Sequence, residues 1–222
     1  MRTMDTKYVA VFDCESDSGF GDVFGRARDE IIHRYMQFTC ICALVIPIDA
    51  IQSRVSTDEI ISQSKRMTWW RDVSESNTAT PIDSLLDIFD SAEVIVGFNC
   101  LAFDFPLIRR FYASQTRYLK HRCKCLDIMT RVRDVTDDYY KLDKLLRDNE
   151  LSTKIGDGST AITLWQEERR DELQAYCLCD VELTARLGLL NELHIRDKHS
   201  TKTFTIAENV FGIRAALRSV TL

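Results

Sequence analysis

Residues 8–16 read Tyr-Val-Ala-Val-Phe-Asp-Cys-Glu-Ser, a short apolar run that ends in two acids set two apart. The run is rich in β-branched and aromatic residues, so residues 8–13 are predicted to form a buried central strand. Side chains at i and i+2 of a strand share a face. Asp13 and Glu15 therefore stand side by side where the most buried strand ends. Two carboxylates so placed repel each other and are poorly hydrated, and a divalent cation relieves both costs. The plainer alternative is a strand that simply runs out into solvent there. Asp-x-Glu alone does not separate the two readings.

Further strands are expected over residues 37–46, 51–56, 93–98 and 124–128, the 51–56 strand being the weakest pattern. Helical spacing is expected over 81–91, 103–113, 141–149 and 167–193. Pro81 stands as a first-turn residue, and Leu173, Tyr176, Leu183, Leu187 and Leu190 mark a stripe on the last helix. Residues 16–33 hold Gly19, Gly21, Gly25 and many charges, and read as a long loop or insertion. Strands first, then alternating helices and strands, predict an α/β layer fold with a mixed sheet. No repeat and no Pro/Gly/Ser-rich linker divides the chain, so one domain over 1–222 is expected, with a core at 7–195 and an extension at 196–222. In the tail, Ile206, Val210, Ile213 and Leu217 recur at near-helical spacing, which fits either closure of the fold or contact with a partner.

Two more acids sit in distinctive surroundings. In Gly97-Phe98-Asn99-Cys100-Leu101-Ala102-Phe103-Asp104, a buried strand turns and Asp104 opens the next helix. An acid is ordinary in a helix's first turn, where the dipole favours it, and Asn99 is an ordinary turn residue. In Tyr176-Cys177-Leu178-Cys179-Asp180, Tyr176 and Asp180 are i and i+4 on one helix and so are neighbours. Each pattern has a bland counterpart. The order of the four acids, each in its own context, is far more specific than any one of them.

Taken together the motifs resemble the DEDD family of 3′–5′ exonucleases, in its Tyr subclass. Asp13 and Glu15 match its Asp-x-Glu at the end of the first strand. Asn99, Phe103 and Asp104 match its Asn-x-x-x-Phe-Asp, and Tyr176 and Asp180 match its Tyr-x-x-x-Asp. The resemblance spans about residues 7–190 and looks closest to stand-alone relatives of the exonuclease domain of family B DNA polymerases. Lys154-Ile155-Gly156-Asp157-Gly158 followed by Leu164-Trp165 also looks like that group. No polymerase domain is expected within these 222 residues, and residues 16–34 are longer than the turn usual after the first motif.

The resemblance implies a ribonuclease H-like fold, a five-stranded mixed sheet with helices on both faces. It implies two Mg²⁺ or Mn²⁺ ions held by Asp13, Glu15, Asp104 and Asp180, with Asp13 bridging both. Tyr176 is then the residue that orients the attacking water. Asn99, Phe103, Ser16 and Lys154 become candidate contacts to substrate, with Phe103 equally readable as core and Lys154 as a surface lysine. The implied activity is removal of nucleotides from a free 3′ end, single-stranded ends favoured and DNA slightly ahead of RNA. The alternatives are an exoribonuclease and a catalytically silent nucleic-acid-binding relative. Silent relatives usually lose an acid, and none is lost here. Aspartate-nucleophile phosphatases also begin with Asp after a buried strand, but their second acid is normally Asp where this chain has Glu15.

Charge bears on the partner. The net charge of −5 is not that of a typical nucleic-acid binder. It is uneven, however: Arg109, Arg110, Arg117, Lys120, Arg122, Lys124, Arg131 and Arg133 face a single acid, Asp127, over that stretch. This is readable as a phosphate-binding surface or as a solvated helix face. The chain has 8 cysteines and no secretion signal, so reduced thiols and an intracellular setting, cytoplasmic or nuclear, are expected, with no membrane segment. The pairs Cys40/Cys42, Cys123/Cys125 and Cys177/Cys179 lack the paired C-x₂₋₄-C spacing of structural zinc. Trp69 and Trp70 beside Arg66 and Arg71 fit core packing better than base stacking.

Overall fold

Alternation along the first strand sets the layering of the molecule. In the computed structural model, β1 (Tyr8–Ser16) is the middle strand of five. Residues 7–19, 32, 34–53, 55–73, 80–153, 156, 158–196 and 203–220 are described. β1 lies between β2 (Phe38–Pro47), antiparallel to it, and β4 (Val94–Gly97), parallel to it. β3 (Lys65–Trp70) pairs antiparallel with β2 at one edge, and β5 (Cys125–Asp127) parallel with β4 at the other. The order β3-β2-β1-β4-β5 is the expected five-stranded mixed sheet.

Two cores follow from period-2 alternation. Val9 and Val11 of β1, Cys40, Cys42, Leu44 and Ile46 of β2, and Val94 and Val96 of β4 join one buried cluster. Ala10, Phe12, Cys14, Ile41, Ala43 and Ile95 join the other. The long helix α9 (Arg170–Gly188) lies on the first face, with α7 (Leu142–Asp148) and α8 (Gly158–Gln166). The second face is covered by α3 (Asp83–Ser91), α4 (Asp104–Ile108) and α5 (Gln115–Cys123). That cover is aromatic: Phe12 meets Phe89 at 4.8 Å and Phe105 at 5.4 Å, both edge-on. Among the described residues no helix is long and apolar enough to cross a membrane.

Several expectations are corrected. Residues 51–56 are not a strand. Pro47 starts α1 (Ile48–Gln52), which buries Ile48 and Ile51 one turn apart, and Ser56 caps α2 (Thr57–Ser62) by accepting the Glu59 N–H at 3.2 Å. The third strand is instead β3, whose Trp69 is buried and donates its ring N–H to Ser84 Oγ at 2.8 Å. The helix expected over 103–113 is α4 followed by a single 3₁₀ turn at Arg109–Phe111. The helix expected over 167–193 is shorter at both ends. Glu168 has a left-handed φ of 57°, and α9 stops at Gly188, where a Cβ would lie 3.0 Å from Ile213.

After α9 the chain makes a hairpin of β6 (Glu192–Arg196) and β7 (Thr203–Ala207), then α10 (Glu208–Phe211) and α11 (Ile213–Val220). Ile206, Phe211, Ile213 and Leu217 enter the same core as Val94 and Leu126, so this segment closes the fold beside β4. Ile206 is on a strand, which explains why helical spacing only approximates the tail. Helix α6 (Ile128–Thr136) joins β5 to α7. The insertion expected over 16–33 falls mostly outside the described residues.

Candidate functional site

Alternation carries Val9, Val11, Asp13 and Glu15 onto the α9 face of β1, so the acids continue the apolar row beyond the end of the core. The ladder shifts register between Cys14 and Ser16, where β1 advances two residues and β2 three, so Glu15 stands opposite a bulge in β2 at the sheet end. Asp13 is part-buried and Glu15 buried. Directly across the ladder from Asp13 stands Cys42. Cys177 of α9 donates its thiol to the Asp13 carbonyl at 3.6 Å, which pins the helix over this strand end. Its sulfur and one carboxylate oxygen each from Asp13 and Glu15 lie within 4.8 Å of one another, a potential metal-coordinating cluster.

Asp104 arrives from the opposite layer. Phe105 packs against Phe12 and fixes the start of α4, so that Asp104 Oδ1 accepts the Cys14 N–H at 2.8 Å. That amide lies between Asp13 and Glu15, and it brings the third acid to the same strand end. Burial pushes the Asp104 carboxyl up to about 7, while the N–H groups of Cys14 and of Asp104 itself hold it down and the charge of Asp127 raises it further. A carboxyl so destabilised as an anion is one that a nearby cation would stabilise, and the all-oxygen donors of Asp13, Glu15 and Asp104 suit a hard divalent ion. Asp13 and Glu15 thus offer carboxylate oxygens of the kind a hard divalent ion takes.

Tyr176 and Asp180 lie on either side of Cys177 along α9, one residue before it and one turn after it. Both are buried, and both line a cavity of about 500 Å³ with Thr160, Thr163 and Leu164 of α8 and with Arg169. Asp13, Glu15 and Asp104 are not in that lining; Cys177 is the link between the two groups. Asn99 has a left-handed φ of 64°, and its side-chain oxygen is buried with no hydrogen-bond partner among the described residues. Phe103 is partly exposed and packs against the aromatic core. Ser16 donates to the Ser18 carbonyl at 3.0 Å. Lys154 lies outside the described residues.

One residue that the motifs do not single out holds the second motif in shape. Buried Asp127, at the end of β5, accepts the N–H groups of Asn99 and Leu101, both at 2.9 Å, and that of Thr130 at 3.2 Å. It caps α6 and clamps the 99–101 turn at once. An Asp directly before a helical run is a cap signal that sequence alone offers. Its reach across to the turn is a product of the β4–β5 pairing, which sets Gly97 opposite Asp127. Gly97 itself is required by space, since a Cβ there would lie 2.6 Å from that of Cys100.

The basic stretch is largely engaged inside the fold. Arg110 donates to the Met36 carbonyl and Arg122 to the Leu101 carbonyl, each at 2.7 Å. Arg117 bridges Asp87 and Asp90, and Lys124 reaches the carbonyls of Asp90 and Ala92. Arg117 and Lys124 thus bind α3 and the residue after it, Arg122 the 99–101 turn and Arg110 the chain before β2, so these four cations serve the fold.

A mixed sheet in this order, layered by helices on both faces and carrying acids at the end of its central strand, defines an RNase H-like protein. A model of the RNase_H superfamily matches residues 56–189, and the chain belongs to that superfamily. The matched span contains Asp104, Tyr176 and Asp180; β1 lies before it. Among solved structures, the family B DNA polymerase from the hyperthermophilic archaeon Pyrobaculum calidifontis superimposes with a TM-score of 0.51 at 14% identity, over 82% of this chain and 24% of that one. The chain therefore spans about a quarter of the polymerase, and the likeness is one of fold. E. coli Exonuclease I, solved with an oligonucleotide, gives a TM-score of 0.39 at 12% identity over 77% of this chain and 42% of that one. No curated protein matches.

Proposed function

We propose that this nuclease-superfamily chain acts as a single-domain 3′–5′ exonuclease, removing nucleotides one at a time from a free 3′ end, single-stranded ends favoured and DNA ahead of RNA. The observation that carries the reading is the meeting of three elements at one strand end. Asp104 takes the N–H between Asp13 and Glu15, and α9 sets Cys177 within 4.8 Å of both carboxylates with Asp180 one turn beyond. The fold shared with a DNA polymerase supports DNA as substrate.

In this reading Asp13, Glu15, Asp104 and Asp180 hold two Mg²⁺ or Mn²⁺ ions. Bound there, the ions would lower the pKa of the attacking water and neutralise charge on the phosphate and on the departing 3′ oxygen. The chain's own residues supply orientation. Tyr176 directs a water with its hydroxyl, as a hydrogen-bonding group and not as the base. The buried oxygen of Asn99 offers an acceptor to the terminal sugar hydroxyl, held in place by Asp127 through the turn backbone. Phe103 stacks on the terminal base. Ser16 and Lys154 contact the backbone of the strand.

The test uses matched single-stranded DNA and RNA oligonucleotides, each labelled at the 5′ or the 3′ end, with Mn²⁺ or with EDTA. A metal-dependent ladder of single-nucleotide steps from the 5′ label, faster on DNA, is expected. Faster decay of RNA would turn the assignment to an exoribonuclease. Absence of cleavage in any metal would leave a silent binding protein.

A further inference from the structure

We infer that Cys40, Cys42 and Cys177 form a second metal site, one for a thiophilic divalent cation of the zinc type, adjoining the carboxylates through Cys177. The residues come from two of the C-x-C pairs, which local spacing fails to connect. Cys40 and Cys42 share a face of β2 because they are i and i+2, and α9 lowers Cys177 onto that face. Their three sulfurs lie within 4.8 Å of one another. Zinc–sulfur bonds of 2.3 Å at tetrahedral angles require sulfurs about 3.8 Å apart, so a small contraction closes the site.

Buried cysteines are commonly just small apolar residues, and Cys14 fits that description. The three thiols differ in converging. All three sulfurs come within reach of a single ion, and Cys42 also meets Thr68 Oγ1 at 3.5 Å. All three are reduced and buried. Thiolates are the ligands that select d¹⁰ ions over Mg²⁺ or Mn²⁺, so the adjoining groups sort cations by hardness.

A zinc-type ion takes four ligands, three of which are these thiols. Cys177 also belongs to the cluster with Asp13 and Glu15. The carboxylates group with Cys177 and not with Cys40 and Cys42, so a water entering past the part-exposed Asp13 would complete the set, with Glu15 as a supporting group. Each ligating thiol releases its proton to solvent, giving three thiolates around one dication. Cys177 then gives up its hydrogen bond to the Asp13 carbonyl.

Reduced full-length protein titrated with Cd²⁺, in the absence of nucleic acid, tests this. The expected result is a sulfur-to-cadmium charge-transfer band that saturates with one ion and is reversed by Zn²⁺. Cys42→Val, which keeps the core filled, and Cys177→Ala should each abolish it, and Cys123→Ser at the surface should not. Glu15→Gln should weaken binding about 10–100-fold, as loss of a supporting group around a metal does. Cadmium NMR on the unaltered protein gives a reading that does not depend on variants folding: a resonance typical of three-sulfur coordination is expected. No band in the unaltered protein, a band that survives both Cys42→Val and Cys177→Ala, or a resonance typical of oxygen ligation would overturn the site. The band is read without turnover, so loss of the exonuclease reading would leave it standing.

Discussion

The two faces of the sheet are built from one alternating sequence and yet differ in kind. The face under α3, α4 and α5 is closed by interlocking aromatics, Phe12, Phe89 and Phe105, with Tyr118 beyond. The face under α9 is aliphatic in its middle and turns to thiols and acids at the end of β1: Cys40, Cys42 and Cys177, then Asp13 and Glu15. Large rings with many contacts hold α4 rigidly, and that rigidity is what delivers Asp104 across the sheet edge to the Cys14 N–H. One face supplies the frame, and the other collects the groups that respond to ions. Substitutions should therefore separate stability from chemistry according to face.

The sharpest separation is expected on the α9 side. Asp13→Ala and Asp180→Ala should each lower kcat by about a thousandfold or more, as loss of groups that stabilise transition-state charge does, while circular dichroism and the melting temperature stay near those of the unaltered protein. Near-normal turnover in either variant would break the assignment of that face. On the opposite face, Phe105→Ala should destabilise by about 3–5 kcal/mol in denaturant titration, because it empties a fully buried site. Its activity should fall as well, through Asp104. A stability change under about 1 kcal/mol would mean the aromatic face is not the frame.

Asp127→Ala tests the hinge between the faces. It strands three N–H groups at the 99–101 turn and the start of α6, and should cost about 2–4 kcal/mol. Activity measured well below the melting temperature should drop even where the fold persists. Unchanged activity there would show that the turn needs no clamp.

The smallest effect concerns acid. His121 is buried among Phe89, Tyr112 and Asp90, its Nε2 2.9 Å from Asp90 and its Nδ1 3.0 Å from the Tyr112 hydroxyl. Burial holds its pKa below the ordinary 6.5, against the pull of Asp90. The unfolded chain then binds the proton first as pH falls, so this residue's contribution is complete above 6.5 and lost as pH drops below it. Melting temperature should decline over that window, and His121→Gln should flatten the decline. A decline of the same slope in the variant would assign it to other groups.

Much of this was legible in the sequence where local pattern and tertiary role agree. The buried run of β1, the period-2 placement of Asp13 and Glu15, and the i, i+4 pairing of Tyr176 with Asp180 are all properties of short segments. Legibility failed where a neighbour decides. Residues 51–56 alternate like a strand, but Pro47 and Ser56 cap helices around them. The 65–70 edge strand carries Lys65 and Arg66 exposed, which hides its pattern. Gly188, the last residue of α9, makes room for Ile213, which is 25 positions away along the chain. The clamp by Asp127 and the thiol cluster depend on strand pairing and on the docking of α9, which no local spacing encodes. Arg110, Arg117, Arg122 and Lys124 read as part of a phosphate-binding surface or a solvated helix face because their partners, carboxylates and carbonyls distant along the chain, are invisible in a string of letters.

The proposed chemistry requires acids from β1, α4 and α9 to share one ion-binding centre. A crystal structure of the protein grown with Mn²⁺, with anomalous scattering used to locate the ions, tests this most directly. Two peaks about 3.5–4 Å apart, ligated by Asp13, Glu15, Asp104 and Asp180, are the predicted result. Manganese bound elsewhere, or at β1 with Asp180 out of reach, would contradict it.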